Sequence, residues 1–156
     1  MAGSLEQLQE KIGYRFRDET LLTRAVTHSS YANETGARNH HLLCNERLEF
    51  LGDAVLSVVS SAYLYSRFPN SSEGDLSRLR AAAVCERALA SYAEKIGLRG
   101  HLLLGRGVLN NGGGDNPAIL ADAFEALLAA IYLDAGDAGL DTVRDFLLPL
   151  IRWTVD

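Results

Sequence analysis

The segment AILADAFEALLAAIYL, residues 118–133, constrains the fold more than any other part of the chain. It is apolar on every side of a 3.6-residue repeat, so it has to be a helix enclosed by other elements rather than one lying on a surface. Asn116-Pro117 ahead of it supplies a cap and a first-turn proline, and the helical pattern runs to about Ala135. Its only charged residues, Asp122 and Glu125, are spaced i, i+3 and therefore share a side. Two carboxylates on the inner side of such a helix are costly unless they are paired, protonated or bound to a cation.

A second acidic stripe lies upstream. NERLEFLGDAVL begins a helix over residues 45–68 that ends at Pro69, and its Glu46, Glu49 and Asp53 fall at i, i+3, i+7 on one face. Leu48, Leu51, Val55 and Val58 form the neighbouring apolar face. On its own this stripe reads as a solvated acidic face, while Asp122 and Glu125 either pair with Arg47, Arg78 or Arg80 or face Glu49 and Asp53 across a helix contact. In the second case Glu49, Asp53, Asp122 and Glu125 converge, and an all-oxygen donor set favours Mg²⁺, Mn²⁺ or Ca²⁺. A di-iron bundle would require Glu-x-x-His on each of two helices, which neither acidic helix has. The histidines form no ligand constellation; His40 and His41 sit in a polar connector, and His28 and His101 are expected to be structural. No nucleophile elbow, Walker loop or HExxH run is present, so no organic cofactor is expected.

The remaining pattern is helix after helix. Residues 4–13 place Leu5, Leu8 and Ile12 on one face, with Ser4 as cap and Gly13 past the end. RDETLLTRAVTHSSYANE follows as a helical region capped by Asp18. Ser72 caps a helical region that reaches Gly97, with a break near Cys85, and a Gly- and Asn-rich loop covers residues 99–117. The last helix, GLDTVRDFLLPLIRWTV, contains Pro149, which is expected to kink or split it. No period-2 run is long enough for a strand, so the class is all-α.

At 156 residues the chain is one domain, and 47% hydrophobic with 22% charged residues describes a folded protein. A net charge of -5 argues against a general polyanion binder, although a metal centre can concentrate acids and reverse the local sign. Cys44 and Cys85 make no disulfide framework, no signal peptide is visible and no run matches a membrane span. A cytoplasmic protein with no membrane association is expected.

NERLEFLGDAVL resembles the signature of the ribonuclease III family. The resemblance continues through RFRDETLLTRAVTHSSYANE, FPNSSEGDLSRLRAAAV, LLLGRG and ILADAFEALLAAIYLD, in the order of the family's nuclease domain. It implies an all-helical homodimer that hydrolyses double-stranded RNA with Mg²⁺, Mn²⁺ being able to substitute. Each subunit would cut one strand and leave 5′-phosphate and 3′-hydroxyl ends, in processing of ribosomal and other structured RNA. By the same resemblance Glu49, Asp53, Asp122 and Glu125 hold the metal, Asp53 and Glu125 being tied most closely to catalysis. Glu46 and Glu73 line the RNA cleft, and Phe50, with Gly52, marks the side that meets the partner subunit.

Three departures accompany the resemblance. The resemblance over residues 1–156 is to the nuclease domain alone, and the double-stranded-RNA-binding domain that usually follows it in the family is expected to be absent. Val108, Gly114, Asp115, Asn116 and Ala118 leave the central loop poor in the charges seen in relatives, and Ser29 stands where an Arg is common. These affect RNA binding more than catalysis, since the four acids are intact. The alternative function is a non-catalytic RNA-binding or scaffold module on the same fold.

Overall fold

A computed structural model describes residues 3–156. Ten α-helices are present among them: α1 (Leu5–Ile12), α2 (Glu19–Ala25), α3 (Ser29–Glu34), α4 (His40–Leu43), α5 (Glu46–Arg67), α6 (Glu73–Val84), α7 (Glu86–Lys95), α8 (Arg106–Asn110), α9 (Pro117–Asp134) and α10 (Gly139–Val155). Short 3-10 turns lie at Leu98–His101, Gly113–Asp115 and Gly136–Ala138. No strand occurs among the described residues; a single parallel bridge pairs Thr27 with Leu103.

The all-round apolar helix is the axis of the molecule. Helices α2, α5, α7 and α10 pack around α9, and Phe124, Leu127, Leu128 and Ile131 on it are fully buried. Aromatic contacts extend from it to both sides, with Phe124 5.7 Å from Tyr92 and 6.0 Å from Phe146, centroid to centroid. Each such side chain withdrawn from water contributes about 2–3 kcal/mol, which is why α9 organises everything else. By length and composition alone, α5 is apolar enough to cross a bilayer. It is instead the second core helix, burying Leu48, Val55, Leu56, Val59 and Leu64 and carrying Glu46, Glu49 and Asp53 in its first two turns.

The caps follow the sequence closely. Ser4 accepts from the Gln7 amide while Gln7 reaches back, closing a capping box, and Gly13 ends α1 at φ 72°. Asp18 accepts from the Thr20 amide, Ser72 from Asp75, and Asn116 from Ala118 and Ile119.

Four expectations are corrected. The region 17–34 is two helices, because residues 26–28 leave the helix to bond elsewhere. The Leu103 amide donates to the Val26 carbonyl (2.8 Å), the His28 amide to the Leu103 carbonyl (3.0 Å) and the Asn45 amide to the Thr27 carbonyl (2.9 Å). Pro149 does not split α10, which runs unbroken from Gly139 to Val155. The missing amide costs about 3 kcal/mol, but Leu147 and Ile151 on either side are fully buried and hold the helix to the core. Val58 is 55% exposed, so the buried stripe of α5 runs through Val55, Leu56 and Val59 instead. The loop over residues 99–117 contains α8 and a 3-10 turn, fastened by the Arg99–Asp115 ion pair at 2.8 Å. The break expected near Cys85 is present, where extended backbone (φ -67°, ψ 163°) separates α6 from α7.

Candidate metal centre

The close approach of α5 and α9 begins at Gly52. A Cβ at this position would overlap the Glu125 carbonyl oxygen and lie 2.5 Å from its carbonyl carbon, so no larger residue fits. Gly52 is buried against α9 of its own chain. This corrects its assignment to a partner-facing side: two residues along a helix is a rotation of about 200°, so Gly52 and Phe50 point in opposite directions. Phe50 is 84% exposed and is not a core residue. Beside it lies a groove of about 710 Å³ whose lining includes Arg24, Leu42, Leu51 and Leu133.

With the helix backbones this close, their acids meet. One carboxylate oxygen each from Glu49, Asp122 and Glu125 lies within 4.8 Å of the others, a set able to hold a metal ion. Glu125 is 9% exposed, and Glu49 and Asp122 are half-buried. None of the ion pairs among the described residues involves these three or Asp53. The arginines considered as partners are engaged elsewhere or absent from the ion pairs: Arg78 binds Asp75 and Arg80 donates to Ser61 at 2.9 Å.

The electrostatic consequence is large. Burial, then the contact with Asp53 and the charges of Asp53, Glu49 and Asp122, push the Glu125 carboxyl up to about 8. Burial and the charge and hydrogen bond of Asp122 push Glu49 upward. Asp122 is raised too, by burial first, against the favourable hydrogen bond to Glu49. Carboxyls raised in this way favour a positive charge in their midst, which none of the ion pairs among the described residues supplies.

The other expected residues are placed differently. Asp53 lies beside Glu125 but is exposed and outside the tightest group. Glu46 is exposed one turn before Glu49, accepting from the Cys44 thiol at 3.4 Å. Glu73 does not join the cluster; it opens α6, lies 3.4 Å from the Ser77 hydroxyl and lines a separate cavity with Ser61, Tyr65 and Arg80. Two groups near the centre escaped the sequence reading. Glu86 at the start of α7 raises the Asp122 carboxyl and His28 lowers it. His28 caps α3, its Nδ1 accepting from the Ser30 amide at 3.1 Å. Neither carries a spacing signal, because each reaches Asp122 from a different helix.

An all-α bundle whose two central helices converge on a cluster of carboxylates without ion-pair partners is of a class that could hold a metal ion between helices. Similarity to known proteins narrows this class. A family profile described as Ribonuclease-III-like matches residues 18–151, and the chain belongs to the ribonuclease III family. Ribonuclease 3 of a Bacillus cereus strain is 51% identical over 143 residues, covering 92% of this chain and 56% of the relative. Ribonuclease 3 of a Bacillus anthracis strain is 50% identical with the same coverage. The chain thus spans about half the length of the curated relatives it matches. The nuclease domain of ribonuclease III from Campylobacter jejuni superposes with a TM-score of 0.85 at 40% identity, covering 97% of this chain and 98% of that one. A second structure of that domain gives 0.84 at 41%.

Proposed function

We propose that this chain is a divalent-metal-dependent nuclease domain that hydrolyses phosphodiester bonds of double-stranded RNA, leaving 5′-phosphate and 3′-hydroxyl ends. The observation that carries the reading is the convergence of Glu49, Asp122 and Glu125, with Asp53 alongside, at a contact that only Gly52 permits. The donor set fits a hard cation, being all oxygen, partly buried and without a basic partner. Glu49, Asp122 and Glu125 would hold Mg²⁺, or Mn²⁺ in its place, and Asp53 would ligate or orient water at the open side. A bound ion would supply Lewis acidity at the phosphate and lower the pKa of its water.

The residues themselves divide the work. Glu125 is the deepest, and its protonation without a cation makes cation binding release a proton. Asp53 is exposed and would accept hydrogen bonds from water at the centre. Glu46 and Glu73 remain candidates for the RNA cleft. The exposed Phe50 and the groove beside it support a homodimer, and the Campylobacter jejuni domain is described as having a region involved in dimer formation. We place the protein in the cytoplasm, where the unpaired Cys44 and Cys85 would stay reduced, acting on ribosomal and messenger RNA precursors.

The test is cleavage of long duplex RNA at low salt with Mg²⁺, Mn²⁺, Ca²⁺ or chelator, by wild type and Glu125→Gln. Cleavage by wild type with Mg²⁺ or Mn²⁺, absent in the folded variant, is the expected result. Duplex binding with no metal-dependent cleavage would instead favour the non-catalytic module.

A further inference from the structure

We infer that Asn45 is a positioning residue for the acidic centre: its buried amide clamps the first turn of α5, and with it Glu49, to the junction of α2 and α3. The inference rests on the metal-centre reading above. A residue in this position ordinarily turns its side-chain oxygen to an amide of the first helical turn. Asn45 makes no such bond, although it is only 5% exposed. Its Nδ2 instead donates to the Ala25 carbonyl at 3.1 Å, an acceptor in the last turn of α2. Its backbone amide donates to the Thr27 carbonyl at 2.9 Å, and its own carbonyl accepts from the Glu49 amide at 2.8 Å. One buried residue therefore ties the turn bearing Glu46 and Glu49 to the backbone on both sides of Val26, immediately before His28.

Gly52 provides the second fixed point of α5, seven residues further on, where its backbone meets Glu125. A helix held at one point can still pivot, whereas two points fix its tilt and its height. Convergent ligand oxygens tolerate displacements of only about 0.5 Å. Removing the Asn45 side-chain amide leaves the Gly52 contact and the backbone bond to Thr27 in place but takes away the bond to Ala25, which loosens the first turn. Glu49 then loses its fixed position relative to Asp122 and Glu125, which sit on the other helix. Side chains that orient metal ligands in this way are typically worth about 10–100-fold in metal affinity.

The experiment is Mn²⁺ titration of the full chain without RNA, read by electron paramagnetic resonance of the free ion, beside thermal unfolding in chelator. Wild type is compared with Asn45→Ala, with Asn45→Leu, which keeps side-chain bulk but lacks the donor, and with Tyr14→Phe. The last removes a hydrogen bond to Asp134 at the far end of α9. The Asn45 variants are expected to bind Mn²⁺ about tenfold more weakly or worse, while Tyr14→Phe loses stability without losing affinity. Asn45 variants that bind like wild type would overturn the inference, as would a Tyr14→Phe loss of affinity matching theirs at equal stability. Failure of both Asn45 variants to fold would also overturn it, since the role would then be in the fold alone. Absence of Mn²⁺ binding by wild type would overturn the metal-centre reading itself.

Discussion

Glu125→Gln should make the metal-free protein more stable, although the residue lies at the centre of the proposed site. The wild-type carboxyl is raised from 4.5 to about 8 in the folded state. Between those values the folded state keeps a proton that the unfolded state has lost, so stability falls as pH rises through this window and levels off above it. At about 1.4 kcal/mol per pH unit, the loss has a ceiling of about 5 kcal/mol, of which about 3 kcal/mol has accumulated by pH 7. Relaxation and water entry at the open side reduce this to about 2 kcal/mol. Glutamine is uncharged at every pH, nearly isosteric, and offers an amide donor to Asp53. For a domain of this length the variant should melt about 4–8 °C above wild type at pH 7 in chelator, with the difference closing towards pH 4.5. Thermal unfolding followed by circular dichroism at several pH values measures it. Adding Mn²⁺ should raise the wild-type midpoint and leave the variant almost unmoved. A variant no more stable than wild type at pH 8 in chelator would refute the claim that unpaired carboxylates strain this site.

Gly52→Ala should cost about 3 kcal/mol or more, because α5 and α9 must separate to admit the methyl group; urea unfolding reports it. Asp134 should matter at the other end of α9, where it accepts from Tyr14 Oη (2.5 Å) and the amides of Arg17 (3.0 Å) and Asp18 (2.9 Å). Burial pushes this carboxyl up, but the three donors outweigh it and hold it below the ordinary value. Its stabilisation is therefore present above about pH 4 and lost in acid, and Asp134→Ala should cost about 2–4 kcal/mol at pH 7 and less at pH 2, measured by denaturation at both. Phe50→Glu should shift a dimer to monomer in sedimentation while sparing the melting of the single chain, because the ring makes little use of its own core.

The caps at Ser4, Asp18, Ser72 and Asn116 lie where short-range hydrogen bonding alone would put them. The burial of α9 followed from a stripe that closes on itself, and the pairing of two acidic stripes was suggested by the cost of burying charge without a partner. The caps, the enclosure of α9 and each acidic stripe depend on residues within a few turns of each other, so a linear reading finds them, whereas the meeting of the two stripes was one of two alternatives it left open.

Tertiary structure decided what depends on residues distant in the chain. The interruption of the helix at 26–28 exists because Leu103 and Asn45 offer backbone partners there, and neither is visible from THSSYANE. Pro149 remains helical because the core grips both of its flanks. Glu86 and His28 act on Asp122 from other helices, Glu73 stays apart from a cluster it matches in type, and Gly52 serves the interior and not the surface. The acids themselves were legible as a stripe on each helix. Which of their oxygens come within 4.8 Å of each other was settled by the approach of two backbones at one glycine, a distance that periodicity does not encode.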